Sequence, residues 1–171
     1  MPSPLFTVAT YNVKDLFEAG SPFAPAALRD PAIAGPHVAA KLDSIARMLA
    51  RAAADVVALQ EVGSADVVRA LAARLPQLGY GPPVMGTVDR RGIGCAILSR
   101  LPVLESGVHT AEALPFPAFV AGDPPPFGHR IPLRRGVPYA RIDAGALGPV
   151  DVLVAHFKSN RGLPLLDAQG A

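Results

Sequence analysis

Apolar positions along this chain follow two rhythms. In the first half, runs of β-branched and aromatic residues alternate with stretches of helical period; in the second, short apolar runs succeed one another with glycine or proline between them. Residues 5–12, LFTVATYN, predict a buried strand. The proline-bearing segment 20–36 predicts a long loop. After Pro36, Val38, Leu42, Ile45 and Leu49 recur at helical spacing, with Lys41, Ser44, Arg47 and Arg51 mostly opposite, which predicts an amphipathic helix to about Ala53. Asp55 opens the strand DVVALQ, apolar on both faces as a covered central strand is. Ser64 is placed to cap a second helix through Leu75, with Val67, Val68, Leu71, Ala72 and Leu75 as its stripe and Pro76 at its end.

Beyond Pro76, segments near 80–88, 92–99, 102–109, 137–143 and 150–156 predict strands. The stretch 111–135, rich in proline and phenylalanine, predicts a long loop or substrate-side insertion. Helices alternating with strands, followed by strands alone, predict a layered sandwich with helices over at least one sheet. There is no internal repeat and no low-complexity tract.

Three apolar runs finish on a polar side chain: Asn12 in ATYNV, Glu61 in VVALQEV and His156 in VLVAHFKSN. A strand that delivers its last side chain to the rim of a sheet gives a physical reason, because ligand crevices lie at such ends.

Composition narrows the class. The 171 residues suit one domain, and 50% hydrophobic content is enough for a real core. Sixteen Lys and Arg against fourteen Asp and Glu give a net charge of +2. That excess is compatible with a phosphate-bearing partner but is too small to be an electrostatic footprint by itself. The single Cys95 excludes a disulfide framework and a cysteine-based zinc site, and it reads as a small core residue. MPSPLFTVATYNV lacks the basic-then-apolar pattern of a signal peptide. No stretch reaches the roughly 18 apolar residues of a membrane span. The expectation is a cytoplasmic protein.

The candidate residues carry chemistry of different kinds. A carboxylate closing an apolar run, like Glu61, must be hydrogen-bonded, paired or metal-bound. One carboxylate with water and substrate phosphate completing the shell suits Mg²⁺; the alternative is a glutamate at the start of the next helix. The Asn12 amide can orient a carboxylate or contact a phosphate, and as an alternative opens a turn. The His156 imidazole can donate to a phosphate or transfer a proton, with Lys158 and Ser159 as neighbouring donors; the alternative is a core histidine. Arg134 and Arg135 offer guanidinium groups suited to phosphate, as do Arg90 and Arg91, although paired arginines also occur as plain solvated loop. His37, His109 and His129 have no companion pattern. A Gly-rich phosphate loop, HExxH and GxSxG are all absent.

Taken in order, ATYNVKDLF, ADVVALQEV, DRRGIGCAILSR, RGVPYARID and VDVLVAHFKSN resemble the endonuclease/exonuclease/phosphatase superfamily over almost the whole chain, about Thr7 to Asn160. The resemblance implies an α/β (α+β) four-layer sandwich: two packed mixed β-sheets flanked by helices, the second sheet incomplete. It implies a single domain over 1–171 representing the N-terminal portion of that fold. The implied activity is metal-dependent hydrolysis of phosphodiester or phosphomonoester bonds, nuclease-like first, by attack of metal-activated water on phosphorus. The implied cofactor is Mg²⁺, with Mn²⁺ or Ca²⁺ as alternatives. By position, Glu61 and Asn12 would form the metal site, His156 and Asn12 would be catalytic, and Arg135 would bind substrate phosphate, ahead of Arg134. The partner would be a phosphate ester: nucleic acid, a phosphorylated small molecule or a lipid head group. No membrane span and no obligate protein partner are expected.

Two motifs of that family, GDxN and S-D-H, do not occur in this chain, which ends fifteen residues after His156. Asn160 and Asp167 are the only late polar candidates. The alternative expectation is therefore a truncated, catalytically inactive fragment acting at most as a metal- or partner-binding module.

Overall fold

The computed structural model describes residues 6–111, 113–125 and 127–157. Along the chain these form β1 (Val8–Leu16), α1 (Pro31–Ala52), β2 (Val56–Val62), α2 (Ala65–Ala72), β3 (Val84–Met85), β4 (Gly94–Ser99), β5 (Val103–His109), β6 (Leu114–Pro115), β7 (Arg130–Ile131), β8 (Val137–Asp143) and β9 (Pro149–Leu153). The first sheet runs in the order β1-β2-β4-β3, the second β5-β8-β9, and β6-β7 is a small separate pair. In the first sheet β1 and β2 are parallel, joined through α1, while β4 is antiparallel to both of its neighbours. Both pairings of the second sheet are antiparallel, so only the first of the two sheets is mixed as expected.

Alternation in β2 and β4 decides what packs where. Val57, Leu59, Ala96 and Leu98 face α1 and α2 and meet Leu42, Ile45, Leu49, Val67, Val68 and Leu71. Val56, Ala58, Cys95 and Ile97 face the other way and meet Ala140 and Ile142 of the second sheet and Val154 just past β9. β2 and β4 are thus covered on both sides, which is why they lack polar alternation. The layers among the described residues are helices, first sheet, second sheet. The outward side of the second sheet is solvent-facing: Glu105, Arg141, Asp151 and Leu153 are exposed there, and no helix covers it among the described residues. The fourth layer of the expected sandwich is therefore not seen in them.

Several boundaries differ from expectation for identifiable reasons. α1 begins at Pro31 and not after Pro36, because the Asp30 carboxylate caps the Ala32 N–H at 2.9 Å and Pro31 takes the first helical position. Pro36 then sits in the second turn and forfeits one backbone bond without ending the helix. α2 ends at Ala72, yet Leu75 is still fully buried. The expected strand at 80–88 reduces to Val84–Met85, in a segment dense in glycine and proline. The stretch 111–135 is not a plain loop, since β6 and β7 pair within it and Phe127 packs between Phe116 and Phe119.

Candidate functional site

Asn12 stands in the middle of β1, not at its end, while Glu61 is the last residue but one of β2. Both strands break register at that level. Asn12 pairs with Gln60, but the next pair is Leu16 with Val62, so β1 accommodates three intervening residues against one. On its other side β2 passes from Gln60–Cys95 to Val62–Gly94, leaving Glu61 unpaired again. Glu61 is the extra residue of a β-bulge, which is how a strand re-aims one side chain. Its φ is +63°, and Lys14 and Asp15 on the facing bulge have φ of 52° and 53°. Three consecutive-level, non-glycine residues in the left-handed region cost on the order of 1–3 kcal/mol each, and such strain concentrates at functional sites.

The facing bulges cradle the Glu61 carboxylate. Asn12 Nδ2 donates to Oε1 at 2.9 Å, and the Asp15 backbone N–H donates to Oε2 at 3.2 Å. Asn12 is itself fixed, its Oδ1 accepting the Lys14 N–H at 2.9 Å. Lys41, from α1, donates to the carbonyls of Lys14 and Asp15 and so pins the strained bulge from behind. Burial alone would raise the Glu61 carboxyl, but the Asn12 amide and the Asp15 N–H, with His156 and the Arg135 guanidinium nearby, outweigh it and hold it below the usual carboxylate value.

His156 follows β9 and reaches the same rim. Its Nε2 lies 3.7 Å from Glu61 Oε1, and both side chains retain about a fifth of their surface, 22% and 21%. Arg135 Nη1 lies 2.9 Å from His156 Nδ1 and donates to the His156 carbonyl at 3.2 Å. A guanidinium has only donors, so Nδ1 must accept and the ring proton lies on Nε2, the nitrogen nearer Glu61. Arg135 is held in turn by Asp89, whose Oδ2 accepts from Nε at 2.9 Å and lies 2.8 Å from Nη2. Asp89 Oδ1 accepts the backbone N–H groups of Arg91 at 2.8 Å and Ile93 at 3.2 Å. Burial pushes the Asp89 carboxyl up, and the Arg135 guanidinium with those two N–H groups more than reverses it, leaving it low.

A single relay therefore runs Asp89–Arg135–His156–Glu61–Asn12, and all four candidate residues lie on it. Arg135 is in the relay and the adjacent Arg134 is exposed. Lys158, Ser159, Asn160 and Asp167 lie outside the described residues. His109 stacks on Tyr139 at 4.7 Å, on the outward face of the second sheet. Three contributors were not legible in the pattern of the chain: Asp89, Lys41 and the Asp15 amide. Asp89 carried a signal, an Asp two residues before glycine-flanking arginine, which is a turn former able to accept its own downstream amides.

The donor set bears on which metal could be held here. No group of three or more His, Cys, Asp or Glu side chains comes together among the described residues. One partly exposed carboxylate, already oriented by two neutral donors, suits a hard cation that keeps its water and takes further oxygen ligands from substrate. It does not suit the closed nitrogen and sulfur cages of a structural zinc.

The family model "Endonuclease/Exonuclease/phosphatase family" matches residues 9–165, and the chain belongs to that family. Solved structures resemble it at the level of the fold. An endonuclease/exonuclease/phosphatase from Beutenbergia cavernae DSM 12333 has 23% identity and a TM-score of 0.51, covering 92% of this chain and 39% of its own. ANGEL2, a 2′,3′-cyclic phosphatase, has 16% identity and a TM-score of 0.53, covering 91% and 41%. ANGEL2 in complex with adenosine-2′,3′-vanadate gives 18% identity, a TM-score of 0.51 and coverage of 91% and 42%. The chain thus spans about two-fifths of the length of the solved structures it matches. No curated protein matches it. No helix among the described residues is long and apolar enough to cross a membrane.

Proposed function

We propose that Asn12, Glu61, Arg135 and His156 are this chain's share of the active site of a divalent-metal-dependent phosphoesterase, nuclease-like in its substrate. The observation that carries the reading is the relay itself: four polar side chains, Asn12 on β1, Glu61 on β2, Arg135 just before β8 and His156 just after β9, brought together at a strained double bulge. Glu61 would hold the cation, Mg²⁺ first and Mn²⁺ or Ca²⁺ as alternatives, with Asn12 fixing the carboxylate. When bound, such a cation supplies charge against the phosphate oxygens and lowers the pKa of water. Arg135, anchored by Asp89, presents its remaining N–H groups to a non-bridging phosphate oxygen. His156 Nε2–H donates a hydrogen bond to the same phosphate. The substrate is a phosphate ester, and a cytoplasmic location belongs to the same reading.

A second reading is a catalytically inert fragment that binds a metal or a partner. It is favoured by the share of the matched structures that the chain spans, about two-fifths. Hydrolysis of plasmid DNA and of bis(p-nitrophenyl) phosphate, with and without Mg²⁺, separates the two. Mg²⁺-stimulated turnover that disappears in Glu61→Ala and in His156→Ala supports the phosphoesterase. Turnover that survives Glu61→Ala or ignores a chelator sinks the metal assignment, and no turnover at any Mg²⁺ concentration leaves the inert reading standing.

A further inference from the structure

An open pocket of about 400 Å³ lies beside the relay, lined by Asp15, Phe17, Phe23, Arg29, Arg91 and Ile93 among others. Nothing in the proposed chemistry uses it, yet three links tie its walls to the site. Asp15 lines the pocket while its backbone N–H holds Glu61. Phe17 packs on Gly63, two residues past Glu61, so closely that a Cβ on Gly63 would lie 2.6 Å from its ring. Asp89 grips Arg135 with one oxygen and the amides of Arg91 and Ile93 with the other, so one carboxylate sets both the site and the pocket wall.

The lining is chemically divided. Arg91 is exposed and only loosely paired, its Nη2 3.4 Å from Asp15 Oδ1. Arg29 donates through Nε to the Ala24 carbonyl at 3.1 Å, and its terminal nitrogens have no partner among the described residues. The same lining includes the apolar side chains of Phe17, Phe23 and Ile93. Phe23 is 50% exposed and packs against Gly92, where φ is +70° and an added Cβ would lie 2.4 Å from the ring, so no side chain fits there. Phe17 lies beside Phe23 with ring centroids 6.5 Å apart, and the rest of the Phe23 ring surface is open to solvent.

Resting on the phosphoesterase reading above, we infer that this pocket takes the nucleotide next to the scissile phosphate: its phosphate on Arg29 and Arg91, its base on Phe23. Guanidinium groups match phosphate oxygens, and an aromatic face accepts any base by stacking. A phosphorylated inositol satisfies the arginines but leaves the aromatic face without a partner. The pocket therefore suits nucleic-acid-type phosphoesters better than phosphorylated inositols.

The test is binding of fluorescein-labelled hexathymidylate to the 171-residue chain by fluorescence anisotropy, in EDTA so that no turnover intervenes. AMP and ribose 5-phosphate then compete against the probe. AMP displaces it at about tenfold lower concentration, since it carries the base that stacks and ribose 5-phosphate does not. Phe23→Ala removes that preference, whereas Arg91→Gln weakens both competitors alike; thermal melts establish that each variant is folded, and the AMP comparison on the unmodified chain needs no variant. Equal displacement by AMP and ribose 5-phosphate overturns the inference, as does a failure of hexathymidylate to bind. Loss of the phosphoesterase reading would register separately, as bis(p-nitrophenyl) phosphate hydrolysis that is absent or indifferent to Glu61.

Discussion

Glu61 shows how much one residue's setting matters. Its carboxyl is held low against the pull of burial, chiefly by the Asn12 amide and the Asp15 N–H. Removing the amide in Asn12→Ala therefore raises the Glu61 pKa, which a carboxyl-carbon NMR titration reads directly. An unmoved titration would falsify the claim that Asn12 orients and stabilises this carboxylate. Cys95 behaves in the opposite direction. Burial pushes its thiol up to about 11, so it stays protonated at neutral pH. It is expected to resist a thiol reagent in the folded chain and react at once in denaturant; fast labelling of the native protein would contradict its placement between the sheets. The polarity of Asn12, Glu61 and His156 at the close of apolar runs was legible from the chain alone. That β1 and β2 bulge beside Asn12 and at Glu61 was not, because a positive φ leaves no mark on a glutamate or a lysine.

At the scale of elements, the Asp89 loop and β2 make separable predictions. Arg135 and Asp89 keep only 14% and 13% of their side-chain surface, so removing one partner strands a charge. Asp89→Ala is expected to cost about 3 kcal/mol in chemical denaturation, as breaking a largely buried pair does. A loss below about 1 kcal/mol would place this pair with ordinary surface ion pairs. Leu59 is fully buried between β2 and the helices, and Leu59→Ala should cost about 2–5 kcal/mol by the same measurement. The amphipathic stripe of α1 and the two-faced apolarity of β2 were readable because burial acts on every residue of an element at once. The start of α1 was not. Pro36 signalled a break that the Asp30 cap, six residues earlier, made unnecessary.

Over the whole molecule, carboxylates link stability to pH. Asp55 is held low by its hydrogen bond from the Thr7 hydroxyl, and Glu61 and Asp89 lie low as well. Groups whose folded pKa is depressed contribute stability that is complete above their unfolded value, about 4, and lost as pH falls through the folded value. The urea midpoint should therefore hold steady near neutrality and drop in acid, with a shallower drop in Asp55→Asn; a midpoint that rises in acid would refute the linkage. The sequence by itself determined the family, the order of the main helices and strands, the apolar faces, and four polar residues that the fold brings together at the candidate site. It could do so because side-chain period and local turn chemistry are carried by neighbours along the chain. Tertiary structure decided the rest: that β1 and β2 bulge at one level, that Asp89 and Lys41 serve a site distant in sequence, and that Phe23, Arg29 and Arg91 share a pocket. No single segment holds basic and aromatic residues together in the manner of a strand-binding surface. Folding brings loop 20–29 against loop 89–93, and such a meeting follows from packing at long range, which local pattern does not encode.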